Sequence, residues 1–336
     1  MSSSPAPAVV QSEVLPVSSP QVILVLGMAG SGKTTYVSRL LFELQRKNKR
    51  TFAINLDPAV KKLPYTPNID IRDSVDYGAV MRDFDLGPNG AIITSLNLFV
   101  TKFDQVLDAL EAKKAVLDFV IVDTPGQIEV FNWSASGQII SDAFSVSFPT
   151  AITYVLDSER CANPLAFVSN MTYVVSVLFK YRLPFILALN KADLVVDSPL
   201  SAWLSDFSVL LDALAVGGSA SSYMASFARS LCLALEEFYA SVDHLALSSI
   251  TGLGFDELID HKLAAALAQY QAEFLPEVED KRRVMAARKE AEAKKTMAEF
   301  KRPSAAPKKR ATAEEDEDED DAAELEKLRA LLKAKK

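Results

Sequence analysis

Apolar residues along the chain fall into short runs that alternate with segments of helical spacing. Runs such as 119–122 and 185–189 are apolar at every position, as strands of a parallel sheet covered on both faces require. Segments such as 33–47 repeat apolar residues every three to four positions, which predicts helices. The alternation predicts an α/β fold in three layers with a mostly parallel sheet. The predicted strands are 22–27, 51–56, 91–94, 118–123, 151–157, 184–190 and 244–248, and the predicted helices are 33–47, 73–83, 101–115, 136–147, 164–180, 202–214, 221–241 and 255–274.

A glycine-rich loop lies between the first predicted strand and the first predicted helix. Residues 27–34 match G-x-x-x-x-G-K-[ST], the phosphate-binding loop (P-loop) of nucleotide-hydrolysing proteins. Glycines allow the backbone N–H groups to turn toward phosphate oxygens, and the N-terminus of the helix favours the same anion. Lys33 is expected to reach the β and γ phosphates and Thr34 to ligate Mg²⁺. The nucleotide-binding residues predicted here are Gly30, Ser31, Gly32, Lys33, Thr34 and Thr35.

Acidic residues follow two further predicted strands, where ligands of parallel sheets bind. Asp123 opens the sequence Asp-Thr-Pro-Gly-Gln and is predicted to hold the Mg²⁺ shell. Gly126 would bring a backbone N–H to the γ-phosphate, and Gln127 would orient the attacking water. Asp57 is predicted to act on Mg²⁺ or on that water, with a turn or helix cap as the alternative.

Residues 190–193 follow another predicted strand and read Asn-Lys-Ala-Asp, the N-K-x-D pattern of guanine-specific GTPases. Asp193 would accept hydrogen bonds from guanine N1–H and the 2-amino group, which adenine does not offer. Lys191 would lie along the base and Asn190 would brace the loop. Ser249 ends the next strand and is expected near guanine O6.

Composition separates a near-neutral body from charged ends. Eight consecutive acidic residues at 314–321 equal the whole net charge of −8, so the body has no basic surplus for nucleic acid. Two cysteines favour free thiols in a reducing compartment, and no apolar run is long enough to span a bilayer. We predict a disordered lead-in at 1–20, a GTPase domain at 21–275 and a charged helical or disordered tail at 276–336. The first 20 residues lack Lys and Arg, so neither a signal nor a transit peptide is expected.

The sequence Gly87-Pro88-Asn89, taken in order with the four motifs above, resembles the GPN-loop GTPases. The charged tail and extended segments such as 133–137 look most like the larger eukaryotic paralogue. The resemblance implies a dimer, either of identical chains or with a paralogous GPN-loop GTPase, in which Asn89 reaches the neighbouring subunit's phosphates. It also implies Glu129 as a further contact to the attacking water, with a plain surface carboxylate as the alternative. Position 28 is Met, where many proteins of the wider class carry a lysine that crosses the dimer.

The predicted function is a GTP-hydrolysing, Mg²⁺-dependent molecular switch. The resemblance implies a role in assembly and nuclear import of RNA polymerase II, with polymerase subunits or assembly factors as partners, in the cytoplasm with shuttling to the nucleus. Neither direct nucleic-acid binding nor membrane binding is expected. Two alternatives stay open: an assembly scaffold stabilised by nucleotide with incidental hydrolysis, and a P-loop kinase.

Overall fold

The computed structural model describes residues 19–195, 199–216 and 223–278. Residues 1–18 of the predicted lead-in and residues 279–336 of the predicted tail lie outside the described residues, so the predicted domain boundaries stay predictions. No helix in the described ranges is long and apolar enough to cross a membrane.

The described residues form one sheet of seven parallel strands in the order β3-β2-β4-β1-β5-β6-β7. The predicted α/β, three-layer fold is therefore confirmed. The polar segment at 65–73 contains the edge strand β3, which pairs with β2 through Ile54 and Ile69. The strands are β1 (Gln21–Leu26), β2 (Thr51–Asn55), β3 (Ile69–Asp70), β4 (Phe119–Asp123), β5 (Thr150–Asp157), β6 (Phe185–Asn190) and β7 (Asp243–Ala246).

Helices cover both faces of this sheet. The longest include α1, which follows the glycine-rich loop, and α8, which follows β5. The helices are α1 (Lys33–Arg46), α2 (Ile71–Ser74), α3 (Tyr77–Asp83), α4 (Pro88–Val100), α5 (Phe103–Glu111), α6 (Ile128–Asn132), α7 (Ala135–Ser147), α8 (Pro164–Tyr181), α9 (Leu200–Ser205), α10 (Phe207–Val216), α11 (Tyr223–Ser241), α12 (Phe255–Glu257) and α13 (Leu263–Gln269), with a 3₁₀ turn at Arg160–Ala162 and π turns at Leu258–Lys262 and Tyr270–Phe274.

The central strand β1 is buried at every residue and supplies both cores. Its alternate residues Val22 and Leu24 join a core that includes helices α4 to α11, whereas Ile23 and Val25 join a core with α1 and the last helices. This burial on both faces explains the fully apolar strands of the sequence. Cys161 and Cys232 are buried thiols, and neither forms a disulfide within the described residues, as expected.

Three sequence predictions of secondary structure were wrong. The segment 91–94, predicted as a strand, lies inside α4. Pro88 at the first position of α4 favours a helix start, and the buried residues of α4, among them Ile92 and Leu96, follow helical spacing. The helix predicted at 73–83 divides at Asp76, whose side chain caps α3 by accepting a hydrogen bond from the Ala79 N–H. The helix predicted at 202–214 divides at Asp206, which has an extended backbone.

Candidate nucleotide-binding site

The loop between β1 and α1 needs its glycines for two separate reasons. Gly27 and Gly32 have φ values of +149° and +91°, a region that L side chains rarely adopt. A Cβ at Gly27 would also lie 2.4 Å from the carbonyl oxygen of Val155, and one at Gly32 would lie 2.7 Å from Asn190 Nδ2. The loop therefore lies directly against the carboxyl ends of β5 and β6.

Lys33 begins α1 and is buried beneath this loop. Its Nζ donates to the carbonyl oxygens of Gly27 at 2.8 Å and Met28 at 3.1 Å, and to that of Gly126 at 2.9 Å. Burial lowers the pKa of Lys33 to about 8, although nearby carboxylates oppose the shift. The lysine thus ties the glycine-rich loop to the turn after β4.

Asp123, the last residue of β4, is almost wholly buried. Its Oδ2 accepts a hydrogen bond of 3.0 Å from the Tyr65 hydroxyl, while Oδ1 has no hydrogen-bond partner among the described residues. Burial raises the pKa of Asp123 to about 6, against the lowering effects of the Tyr65 and Thr34 hydroxyls and of the Lys33 ammonium. Tyr65 comes from the segment between β2 and β3, and sequence reasoning did not single it out.

Asp57 follows β2 and faces the same turn. Its Oδ2 accepts the Gly126 N–H at 3.2 Å, and its Oδ1 accepts the Ala59 N–H at 2.9 Å. Burial raises the pKa of Asp57, against the lowering effect of these two backbone bonds and of Lys33. Asp57 therefore caps a turn through Oδ1, which was the alternative interpretation of this residue. Its Oδ2 contacts Gly126, the glycine predicted to sense the γ-phosphate.

A buried polar network holds the Asp57 loop in place. The Asn55 side chain accepts the Asp57 N–H at 3.1 Å and donates to the Asp57 carbonyl at 3.2 Å. Its amide also donates to Asp70 Oδ1 at 2.9 Å, and Asp70 forms an ion pair of 2.6 Å with Arg72. Asn55 is fully buried, so its three hydrogen bonds satisfy an amide that water cannot reach.

The other predicted catalytic residues, Gln127, Glu129 and Asn89, are more exposed than Asp123. Gln127 is half-buried at the N-cap position of α6, and Glu129, in the first turn of that helix, is exposed. Glu129 is close enough to Lys33 to act on its pKa. Gly87, Pro88 and Asn89 are exposed at the start of α4, so the tripeptide forms the N-terminus of a helix rather than a free loop. Among the described residues, no hydrogen bond joins Asn89 to the phosphate loop.

Asn190 ends β6 and bridges two loops. Its Nδ2 donates to the Ser31 carbonyl at 2.9 Å, and its Oδ1 accepts from the Ser249 N–H at 3.1 Å and the Ser249 hydroxyl at 2.8 Å. All three residues are buried. The bracing predicted for Asn190 thus links the glycine-rich loop to the loop after β7.

Lys191 and Asp193 lie in the open turn after β6. Lys191 has a φ of +65°, and its Nζ is 2.6 Å from Asp157 Oδ2. Asp193 is exposed in this turn, as a base-contacting carboxylate must be before ligand binding. Asp157 ends β5 and was missed, although its position after an apolar strand is the signal that identified Asp123.

The residues present fit a magnesium ion. Asp123 offers a buried oxygen without a partner among the described residues, and Thr34 offers a hydroxyl beside it. No cluster of three or more His, Cys, Asp or Glu side chains forms a cage within the described residues. One or two carboxylates with a hydroxyl are typical of Mg²⁺, which keeps waters and takes its remaining ligands from phosphates.

The parallel sheet, the glycine-rich loop with its buried lysine and the carboxylates at neighbouring strand ends define a P-loop nucleoside triphosphatase. A family model described as a conserved hypothetical ATP binding protein matches residues 25–268. The GPN-loop GTPase 1 of Dictyostelium discoideum is 47% identical over 280 residues, which are 83% of this chain and 70% of that protein. The chain belongs to the GPN-loop GTPases, and the GTP binding and hydrolysis expected from its sequence are confirmed at the level of the family.

Two further relatives refine this assignment. The GPN-loop GTPase 2 homolog of D. discoideum is 32% identical over 56% of this chain and 60% of its own length. The crystal structure of a GTPase from Pyrococcus abyssi in its apo form matches with a TM-score of 0.63 and 28% identity, covering 75% of this chain and 98% of that one. The chain is thus more similar to relatives named GPN-loop GTPase 1 than to these two.

Proposed function

We propose that the chain binds Mg²⁺ and GTP at residues 27–34 and acts as a nucleotide switch. The observation that carries this proposal is the double engagement of Gly126: its carbonyl accepts from Lys33 and its N–H donates to Asp57. Lys33 is assigned to the phosphates and the Gly126 N–H to the γ-phosphate. A bound GTP therefore competes for both contacts, which couples the nucleotide to the conformation of the turn after β4.

The phosphates would be held by the N–H groups of residues 30–35, by the N-terminus of α1 and by Lys33. Thr34, Asp123 and Asp57 would hold the metal, which would supply positive charge to neutralise the negative charge that develops on the phosphates. Because Tyr65 donates to Asp123 in this structure, its hydroxyl has to share or leave that carboxylate when the metal shell forms.

Hydrolysis requires a water molecule in line with the bond between the γ-phosphorus and the β–γ bridging oxygen. Gln127, Glu129 and Asp57 are the candidates for orienting it. Gln127 follows Gly126, Glu129 lies in the first turn of α6, and both Asp57 and Glu129 are close enough to Lys33 to act on its pKa. The water oxygen bonds to phosphorus, the bond to the bridging oxygen breaks, and GDP and phosphate leave. The Gln127→Leu variant is expected to bind GTP with normal affinity and to release phosphate at least tenfold more slowly.

Guanine selection is assigned to Asp193, with Lys191 along the base and Asn190 and Ser249 as the frame. The family model's description names ATP, whereas the relatives are named GTPases. The N-K-x-D residues favour GTP, because an unpaired Asp193 carboxylate opposes adenine. A titration of GTP against ATP tests this directly, and comparable affinities would remove the assignment.

We further propose that the working form is a dimer in which Asn89 reaches the neighbouring subunit's phosphates. Support comes from the exposure of Asn89 and from the absence of a hydrogen bond, among the described residues, between Asn89 and its own phosphate loop. The Asn89 carboxamide can donate to a phosphate oxygen or to the attacking water without adding charge.

Complementation between two inactive variants tests a role in trans. Lys33→Ala removes a chain's own phosphate site but leaves its Asn89, while Asn89→Ala does the reverse. In an equal mixture that exchanges subunits randomly, half of the dimers are mixed and each has one complete site. About a quarter of wild-type activity should return, whereas none would return if Asn89 acts on its own chain. Mixing each variant with itself is the control.

The biological role proposed for the switch is assembly and nuclear import of RNA polymerase II. Its support is the greater similarity to relatives named GPN-loop GTPase 1. Depletion should leave the large polymerase subunits in the cytoplasm, and rescue by Gln127→Leu should fail. Rescue by that variant would favour the alternative, a scaffold for which hydrolysis is incidental.

A further inference from the structure

Arg160 is a charged side chain of this site that neither the motifs nor the proposed mechanism uses. It lies in the 3₁₀ turn after β5, three residues beyond Asp157. Its Nη1 donates to the Ala29 carbonyl at 3.0 Å, and its Nη2 lies 3.0 Å from the position that a Cβ at Gly30 would occupy. The guanidinium therefore lies directly against the glycine-rich loop.

The two cations at this loop contact different backbone carbonyls. Lys33 is buried and donates to the carbonyls of Gly27 and Met28, whereas the Arg160 side chain is 65% exposed and donates to Ala29. Met28 is apolar, so Arg160 also supplies a second cation that position 28 does not.

Asp157 orients the guanidinium. Its Oδ2 lies 3.4 Å from Arg160 Nε, and its Oδ1 accepts the Arg160 N–H at 3.3 Å and the Glu159 N–H at 3.1 Å. The same Oδ2 is paired with Lys191 at 2.6 Å. One buried carboxylate thus holds a cation at the phosphate loop and another at the base-recognition turn.

We propose that Arg160 is a phosphate-contacting residue that acts within its own chain. This inference rests on the proposed GTP site, to which it adds a contact between Arg160 and the phosphates. Guanidinium N–H groups form a planar fork that pairs with phosphate oxygens, and Nη2 has donor capacity beyond the single bond that Nη1 makes to Ala29. Gly30, with a φ of +80°, leaves the space that the fork occupies.

The test measures binding of a non-hydrolysable GTP analogue, GDP and guanosine to full-length, nucleotide-free protein with Mg²⁺. Arg160→Gln keeps an N–H for Ala29 but loses the charge and the fork, so GDP and the analogue should bind roughly tenfold or more weakly, with guanosine unchanged. Arg160→Lys should restore part of the loss. Arg229→Gln, at an exposed position on α11, is the matched control and should bind as wild type.

Two results would overturn this inference. Wild-type affinity of Arg160→Gln for GDP would show that no charge contact exists. An equal loss for guanosine would show that Arg160 acts through Asp157 on the base-recognition turn and not on the phosphates. Lys33→Ala separates this failure from failure of the site itself. If Lys33→Ala loses GDP binding while Arg160→Gln does not, only the role of Arg160 is refuted; if neither does, the nucleotide does not bind at residues 27–34.

Discussion

Removal of the Asn190 side chain directly tests the hydrogen bonds that join the glycine-rich loop to the loop after β7. The side chain makes three hydrogen bonds, one to the Ser31 carbonyl and two to Ser249, and all of the partners are buried. At roughly 1 kcal/mol for each bond, and more where a backbone group is left unpaired, Asn190→Ala should lower the free energy of unfolding by about 3 kcal/mol. Ser249→Ala removes one bond and should cost about 1 kcal/mol.

Urea unfolding of nucleotide-free protein, followed by circular dichroism, measures both costs. The double variant should be less destabilised than the sum of the two single variants by about 1 kcal/mol, because the shared bond is lost only once. Ser230→Ala, whose hydroxyl bonds only within the exposed face of α11, is the control and should change little. Wild-type stability of Asn190→Ala, or strict additivity with Ser249→Ala, would refute the bridge as a stabilising contact.

Three further predictions concern the nucleotide. Gly27→Ala should abolish GTP binding in folded protein, because its Cβ would lie 2.4 Å from a backbone oxygen that cannot move away; retained affinity would contradict this loop geometry. GTP affinity should fall as pH rises through about 8, the pKa of Lys33 in the free protein, because the phosphates need the charged lysine. Calorimetry in two buffers should show proton uptake on binding above that pH, and an affinity that does not change with pH would argue against the contact. The Mg²⁺-dependent part of the GTP affinity should fall below pH 6, where Asp123 is protonated, and Asp123→Asn should remove the dependence on Mg²⁺. An unchanged Mg²⁺ requirement in this variant would exclude Asp123 from the metal shell.

Sequence pattern was sufficient for the strands that carry the site, because they are buried on both faces and therefore apolar throughout. It was not sufficient for 91–94, a short apolar run that fits a strand and a buried helix equally well. Pro88 at the first position and the later apolar residue Leu96 decide for a helix. The strand β3 has only two residues, and its pairing with β2 depends on tertiary context.

The motifs predicted which residues gather at the carboxyl edge of the sheet but not the contacts between them. Asn190 and Ser31 are 159 positions apart, and the sequence of neither segment predicts their hydrogen bond. Tyr65 on Asp123 and Arg160 on Ala29 were missed for the same reason, since each contact joins a loop of unremarkable sequence to a motif. Asp157 is different, because a carboxylate that ends a buried strand is a signal available in the sequence.

Under the proposed switch, the difference between GTP and GDP is concentrated at one N–H group. Lys33 leaves the Gly126 carbonyl for either nucleotide, but only GTP carries the phosphate that takes the Gly126 N–H from Asp57. The Asp57 carboxylate and the γ-phosphate are both anionic, so they cannot share this donor at close range and the Asp57 loop has to shift. Asn55 connects that loop to Asp70, the N-cap of α2, and therefore to the elements that lead to α4. Loss of the γ-phosphate is thus transmitted toward the helix that begins with the Gly-Pro-Asn sequence, through buried hydrogen bonds that have to rearrange together.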